Sequence, residues 1–148
     1  INHESDYYAD WNLVGLPLDV DDATYTNLFP ESIEGTLYSF NGGYIPEINL
    51  NYGEGYWLRF FEAGSTTITG VSINEITISL SEGWNLISGI SAPTSVSDIY
   101  DPDGIIIPGT FYGFTPDGYS NTEVIEPGKS YWIKAISGGT IIISNSQD

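Results

Sequence analysis

The tripeptide Trp-Asn-Leu stands at residues 11–13 and again at 84–86, 73 positions apart. Laying one copy on the other aligns much of the chain. GTLYSF (35–40) falls on GTFYGF (109–114) at a spacing of 74, GEGYWLRF (53–60) on GKSYWIKA (128–135) at 75, and TTIT (66–69) on IIIS (141–144) at 75. The spacing drifts only between motifs, where loops absorb insertions. Self-similarity of this kind restricts the chain to two copies of one structural unit. A unit of about 70 residues is marginal in isolation, so the copies are expected to pack together.

The residue types say what the unit is made of. Isoleucine and aromatic residues dominate the apolar set, and 17 glycines and 8 prolines punctuate short segments, a composition of strands and turns. Ile76, Ile78 and Leu80 alternate with Thr77 and Ser79 as in a half-buried strand. Glu126-Pro127-Gly128-Lys129 suits a type II turn, with Gly53 in the matching place of the first copy. Asn41-Gly42-Gly43 and Thr115-Pro116-Asp117-Gly118 suit hairpins. Tyr25, Leu28 and Phe29, like Val96, Ile99 and Tyr100, are spaced i, i+3, i+4 as on one face of a short helix. Asp21 or Asp22 is placed to cap the first, and Ser95 with Asp98 resembles a capping box for the second. The predicted fold is all-β: two homologous small β-sandwich or barrel-like repeats, each with one short helical turn, packed together. The divisions are an N-terminal arm or cap over 1–9, repeat 1 over 10–75 and repeat 2 over 76–148.

This pattern resembles the tandem tryptophan-containing β-repeats of secreted multidomain bacterial proteins, with W-N-L near the start of each unit and G-x-G-Y-W near its end. The matching residues are Trp11-Asn12-Leu13 with Gly53-Glu54-Gly55-Tyr56-Trp57, and Trp84-Asn85-Leu86 with Gly128-Lys129-Ser130-Tyr131-Trp132. Ser130 stands where the second glycine of the motif would be. The resemblance implies an all-β fold and an extracellular, cell-surface setting.

Twenty acidic against three basic residues give a formal charge of −17, which repels nucleic-acid phosphates and anionic membranes. No apolar run approaches the ~18 residues a membrane-spanning helix needs. Cysteine is absent, so thiolate chemistry and disulfides are excluded. His3 is the only histidine, and no nucleophile–histidine–acid set can be assembled around it. Non-enzymatic function is therefore expected, with no cofactor.

Three groups of residues are candidates for interaction. Side chains two apart on a strand share a face, so Trp57 joins Arg59 and Trp132 joins Lys134. A cation beside an indole suits local stacking, and equally an aromatic platform for a sugar ring; Tyr44 and Tyr119 extend such a platform. Trp11 and Trp84, on the face of Leu13 and Leu86, are expected to be buried core residues. Asn12 and Asn85, unusual in strands, are expected to bond a turn backbone, because an unpaired buried amide costs about 1–3 kcal/mol. Asp98, Asp101 and Asp103 place oxygen ligands beside a turn, as calcium loops begin, although the EF-hand order of ligands is missing. Asp19, Asp21 and Asp22 form a second acidic loop.

The third group concerns the ends. Extending the alignment backwards maps the Ile76–Leu80 strand onto His3–Tyr7, where the apolar side chains of that strand are missing. Either residues 1–9 cap the array, or an edge remains open for strand addition from another copy. Ile1, His3, Ser5, Tyr7, Ile141 and Ile143 would form that partner interface. The function expected from the sequence is a structural or adhesive extracellular β module, self-assembling into a surface filament by strand addition between subunits, its partners being other copies of itself or neighbouring surface domains. The alternative is a carbohydrate-binding module using exposed aromatics, with glycans as partners. Neither reading involves nucleic acid or membrane insertion.

Overall fold

The computed structural model describes residues 1–145; residues 146–148, assigned to the second repeat from sequence, lie outside them. Strands account for 52% of the described residues and helix for 5%, so the protein is all-β. The first unit runs through β1 (Asn2–Tyr7), β2 (Asp10–Val14), β3 (Leu18–Asp19), the single-turn helix α1 (Tyr25–Leu28), β4 (Tyr38–Phe40), β5 (Tyr44–Pro46), β6 (Tyr56–Phe60), β7 (Gly64–Thr69) and β8 (Val71–Ser72). The second runs through β9 (Glu75–Leu80), β10 (Gly83–Ser88), β11 (Thr94–Ser95), a 3-10 turn (Val96–Asp98), β12 (Tyr112–Thr115), β13 (Gly118–Asn121), β14 (Val124–Ile125), β15 (Ser130–Ala135) and β16 (Gly139–Ser144).

The main sheets coincide, while the shorter pairings, β3 with β8 and β11 with β14, differ. Each unit has a four-stranded antiparallel sheet, ordered β2-β6-β4-β5 in the first and β10-β15-β12-β13 in the second, and a two-stranded ribbon, β1-β7 or β9-β16. Registers agree residue by residue: Leu13 faces Trp57 as Leu86 faces Trp132, and Tyr38 faces Trp57 as Tyr112 faces Trp132. In each unit the ribbon closes over one face of the sheet. Tyr7 and Ile68 join Val14, Tyr56, Leu58 and Phe60 in the first core, and Ile76, Ile78, Ile141 and Ile143 join Ile87, Tyr131 and Ile133 in the second. Ile73, which precedes β9, also packs in the second core.

The same local chemistry fixes both copies. The Asn12 side chain accepts from Tyr8 N (2.8 Å) and donates to the Tyr8 and Asp10 carbonyls (2.8 and 3.1 Å). Asn85 repeats this on Ser81 N and the Ser81 and Gly83 carbonyls (2.9, 2.9 and 3.1 Å). The two amides thus tie the tight turns joining β1 to β2 and β9 to β10, as the sequence suggested. The Tyr56 hydroxyl accepts from Asn51 N (2.7 Å) and the Tyr131 hydroxyl from Glu126 N (3.0 Å), holding the turns at Gly53 and Gly128, whose φ values of 88° and 81° suit type II geometry. Helix capping differs from expectation: Thr24 is the N-cap of α1, and Asp22 instead accepts from Thr24 N and Oγ1. Ser95 does cap its 3-10 turn, accepting from Ser97 N.

The N-terminal residues are neither a detached cap nor an unpaired strand. β1 pairs with β7 from Asn2 opposite Thr69 to Tyr7 opposite Gly64, and Tyr7 stacks on Phe60 at 3.7 Å. It is the first unit's version of β9. The missing apolar residues have a structural counterpart. In the second unit Ile76 and Ile78 lie against Gly53 of the first. In the reciprocal place His3 and Ser5 lie against Gly128, with His3 Nε2 and Ser5 Oγ each 3.0 Å from where a Cβ would stand. Lys129, matching Glu54, extends along this polar version and donates to the Asp6 carbonyl (3.2 Å).

The units meet about a pseudo-twofold axis where each repeat position approaches its own equivalent. Gly15 N donates to the Gly128 carbonyl (3.0 Å), and its counterpart Ser88 N donates to the Gly53 carbonyl (3.1 Å). Val14 bridges to Lys129 as Ile87 bridges to Glu54. A Cβ on Gly15 would fall 2.3 Å from Ser88 Cβ, and one on Gly55 would fall 2.6 Å from Ser130 Cβ. Gly15 is the equivalent of Ser88, and Gly55 of Ser130. The space on the axis therefore takes one serine and one glycine per pair, which explains why Ser130 interrupts the glycine motif of its repeat.

Three outcomes are expected. Gly15→Ala will destabilise by about 1–3 kcal/mol through overpacking, and adding Ser88→Gly will recover part of the loss; an unchanged urea midpoint for Gly15→Ala would contradict this packing. Asn12→Ala and Asn85→Ala will each cost about 1–3 kcal/mol, read as a lowered melting temperature. The third concerns pH. Burial, followed by the charge of Lys129, pushes the His3 imidazole below its ordinary value of 6.5, with Asp6 opposing. The unfolded chain then takes up the proton first, so the stability held by neutral His3 is full above that value and lost as pH falls through it. His3→Gln will flatten this component of unfolding midpoints measured from about pH 8 to about pH 5.

Candidate functional site

The outer face of each four-stranded sheet is aromatic because strand alternation sends two sets of side chains in opposite directions. On β6, Tyr56, Leu58 and Phe60 enter the core while Trp57 and Arg59 point away. On β4, Ser39 is buried while Tyr38 and Phe40 share the outer face. Trp11 and Leu13 on β2 belong to that face as well. This corrects the expectation that Trp11 and Trp84 are core residues: Trp11 is half-buried and Trp84 is 42% exposed. They do share a face with Leu13 and Leu86, but it is the face turned towards the other unit rather than towards their own core. Of the four indoles only Trp132 is buried.

Where the two outer faces touch, Leu13, Leu86 and Trp132 form a small apolar centre flanked by Phe40, Trp57, Tyr112 and Phe114. On either side of it opens an aromatic cleft. The first, about 480 Å³, is lined by Trp11, Tyr38, Tyr44, Trp57 and Phe114. The second, about 420 Å³, is lined by Trp84, Tyr112, Tyr119, Trp132 and Phe40. These are equivalent sets, and each cleft takes four rings from its own unit and one phenylalanine from the other. Phe114 packs edge-on to Trp57 and Phe40 edge-on to Trp132, both with centroids 4.9 Å apart. Trp11 meets Trp57 nearly perpendicularly at 6.2 Å. Such edge-to-face contacts lock rings in place.

The cations stack differently from the same-strand pairing expected. Arg59 lies over Trp11 and Lys134 over Trp84, each 5.8 Å from the ring centroid. These are cross-strand partners, Trp11 opposite Arg59 and Trp84 opposite Lys134, because a directly opposed side chain is nearer than one two residues along. The backbones are fixed identically: Thr36 Oγ1 accepts from Arg59 N (3.2 Å) and Thr110 Oγ1 from Lys134 N (3.1 Å). Arg59 Nε also donates to Asp10 Oδ1 at 2.6 Å. The Trp132 indole N–H is buried and lacks a well-aligned acceptor. Its polar neighbour is the Tyr119 hydroxyl, pushed upward by burial, with the indole opposing.

Trp57, Trp132, Tyr44 and Tyr119 thus do line clefts, with Arg59 and Lys134 beside them. Trp11, Tyr38, Phe40, Trp84, Tyr112 and Phe114 were missed as site residues, although Tyr38 with Phe40 and Tyr112 with Phe114 already shared a face by period-two spacing. The other candidate groups are placed elsewhere. Of the proposed partner interface, Ser5, Tyr7, Ile141 and Ile143 are buried, His3 is half-buried and Ile1 is exposed. Ile141 and Ile143 pair with Ile78 and Ile76 inside the second core. At the acidic loop, Asp101 spends both carboxylate oxygens on Ile105 N and Ile106 N (3.0 Å each). Among the described residues no group of three carboxylate or histidine side chains, Asp98, Asp101 and Asp103 included, is disposed to hold a metal. No described helix is long and apolar enough to cross a membrane.

No protein-family model matches the chain, and no curated protein or solved structure is significantly similar to it.

Proposed function

We propose that the protein is a non-enzymatic carbohydrate-binding module of an extracellular, surface-associated protein. The observation that carries this reading is the pair of equivalent clefts, each walled by five aromatic rings and each within the size range of small-ligand sites. The face of an aromatic ring is electron-rich. A pyranose presents a patch of polarised C–H groups on one side and hydroxyls around its rim, so it can lie on an indole while its hydroxyls reach tyrosine O–H, indole N–H and the cations beside the cleft. Rings held edge-to-face are preorganised, which lowers the ordering cost of binding. Stacking on nucleic-acid bases is opposed by the charge of −17.

The strand-addition filament draws less support. The N-terminal strand it relied on is already paired with β7, and the sheet edge β5 is three residues long and ends in Pro46, a feature that blunts edge pairing. Adhesion through bound glycans keeps the module's surface role without requiring it to polymerise.

Screening the intact chain on a glycan array tests the reading. At least one oligosaccharide is expected to bind, with Trp57→Ala and Trp84→Ala each lowering affinity about tenfold while the melting transition stays cooperative. Absence of any glycan ligand, or binding indifferent to both substitutions, would refute it.

A further inference from the structure

The two clefts share their rings, their strands and the register of their cations, so a difference between them stands out against a nearly constant background. In the first, Arg59 is paired with Asp10 (2.6 Å). The equivalent of Asp10 in the second unit is Gly83, and Lys134 has no carboxylate partner among the described residues. One cleft therefore carries a neutralised cation and the other an exposed, uncompensated one.

Asp10 and Gly83 share one turn conformation and differ in their side chains. Its φ is 75°, and it is the one non-glycine residue with positive φ among those described, while Gly83 holds the same place at 95°. That region favours glycine. Aspartate is one of the few residues with a side chain that enter it readily, and here its carboxylate accepts from Arg59 Nε. The second cleft also holds the buried Trp132 N–H, whose polar neighbour is the Tyr119 hydroxyl.

We propose that the Trp84 cleft selects a sugar ring bearing a carboxylate, of the uronic-acid class, while the Trp11 cleft accepts uncharged rings. This rests on the carbohydrate-binding reading above and names which sugars go where. Lys134, over Trp84, meets the carboxylate as the ring stacks. Exposed charges are screened within about 8 Å at physiological salt, so one lysine at the cleft outweighs acids farther off. The overall charge of −17 still disfavours polyanions, which leaves isolated carboxylates as the ligand that fits.

The test uses the four indole N–H resonances of the intact chain, titrated in parallel with methyl glucuronide and methyl glucoside. The glucuronide is expected to shift Trp84 and Trp132, binding the second cleft about fivefold more tightly than the glucoside at low salt, with the preference declining as salt is added. Gly83→Asp, which gives Lys134 the partner that Arg59 has, will remove the preference, and Lys134→Gln will do the same by another route. Asp10→Gly will create a glucuronide preference in the first cleft, read from Trp11 and Trp57. Equal affinities of the two sugars for the second cleft, or a preference that survives both Gly83→Asp and Lys134→Gln, would overturn this inference and leave the carbohydrate reading standing. Failure of both sugars and of every array glycan to bind would overturn both.

Discussion

The structure depends on how closely two equivalent backbones approach each other at the pseudo-twofold axis. Gly15 against Ser88 and Gly55 against Ser130 leave room for one Cβ per pair, and the bonds Gly15 N to Gly128 O and Ser88 N to Gly53 O lock that separation. In a symmetric dimer of identical chains each position would meet itself, so every axial pair would be Gly–Gly or Ser–Ser. Two serines would collide and two glycines would leave the axis thinly packed. Covalent duplication removes that restriction and lets the halves differ where they touch. Close approach in turn brings the outer faces together so that Phe40 and Phe114 reach across.

Much of this organisation could be read in the chain itself. The repeated Trp-Asn-Leu motif, the paired turns at Gly53 and Gly128 and the role of Asn12 and Asn85 all follow from local chemistry, and local chemistry is what a sequence states directly. What escaped was which side of the sheet is inside. Strand alternation yields two faces without labelling them, and here both are apolar: Val14, Leu58 and Phe60 on one, Trp11, Leu13 and Trp57 on the other. Burial of Trp11 was inferred from its bulk. The better clue was Arg59, which shares a face with Trp57, has Trp11 directly opposite and is itself exposed. The pairing of clefts across the interface could not be read, because nothing within one repeat encodes where its twin will sit.

The same reasoning accounts for the odd character of β1. Taken alone, His3 and Ser5 look like a strand stripped of its core residues. In place, they form the polar version of a contact that Ile76 and Ile78 make apolar, with Lys129 donating to the Asp6 carbonyl beside them. The halves thus differ at their mutual contacts and at the cations beside the clefts, while the two interiors keep one strand order with different side chains, Phe60 matching Ala135 and Leu37 matching Phe111.

The reciprocal loan of Phe40 and Phe114 has a consequence for connectivity. Severing the link between the halves near residue 73 would leave two pieces, each with four rings of a five-ring site and an uncovered aromatic face. The five-ring clefts could re-form only through fragment complementation. An intact five-ring cleft is accordingly a sign that the halves have found each other, and neither half can complete its own cleft ahead of its correctly assembled twin.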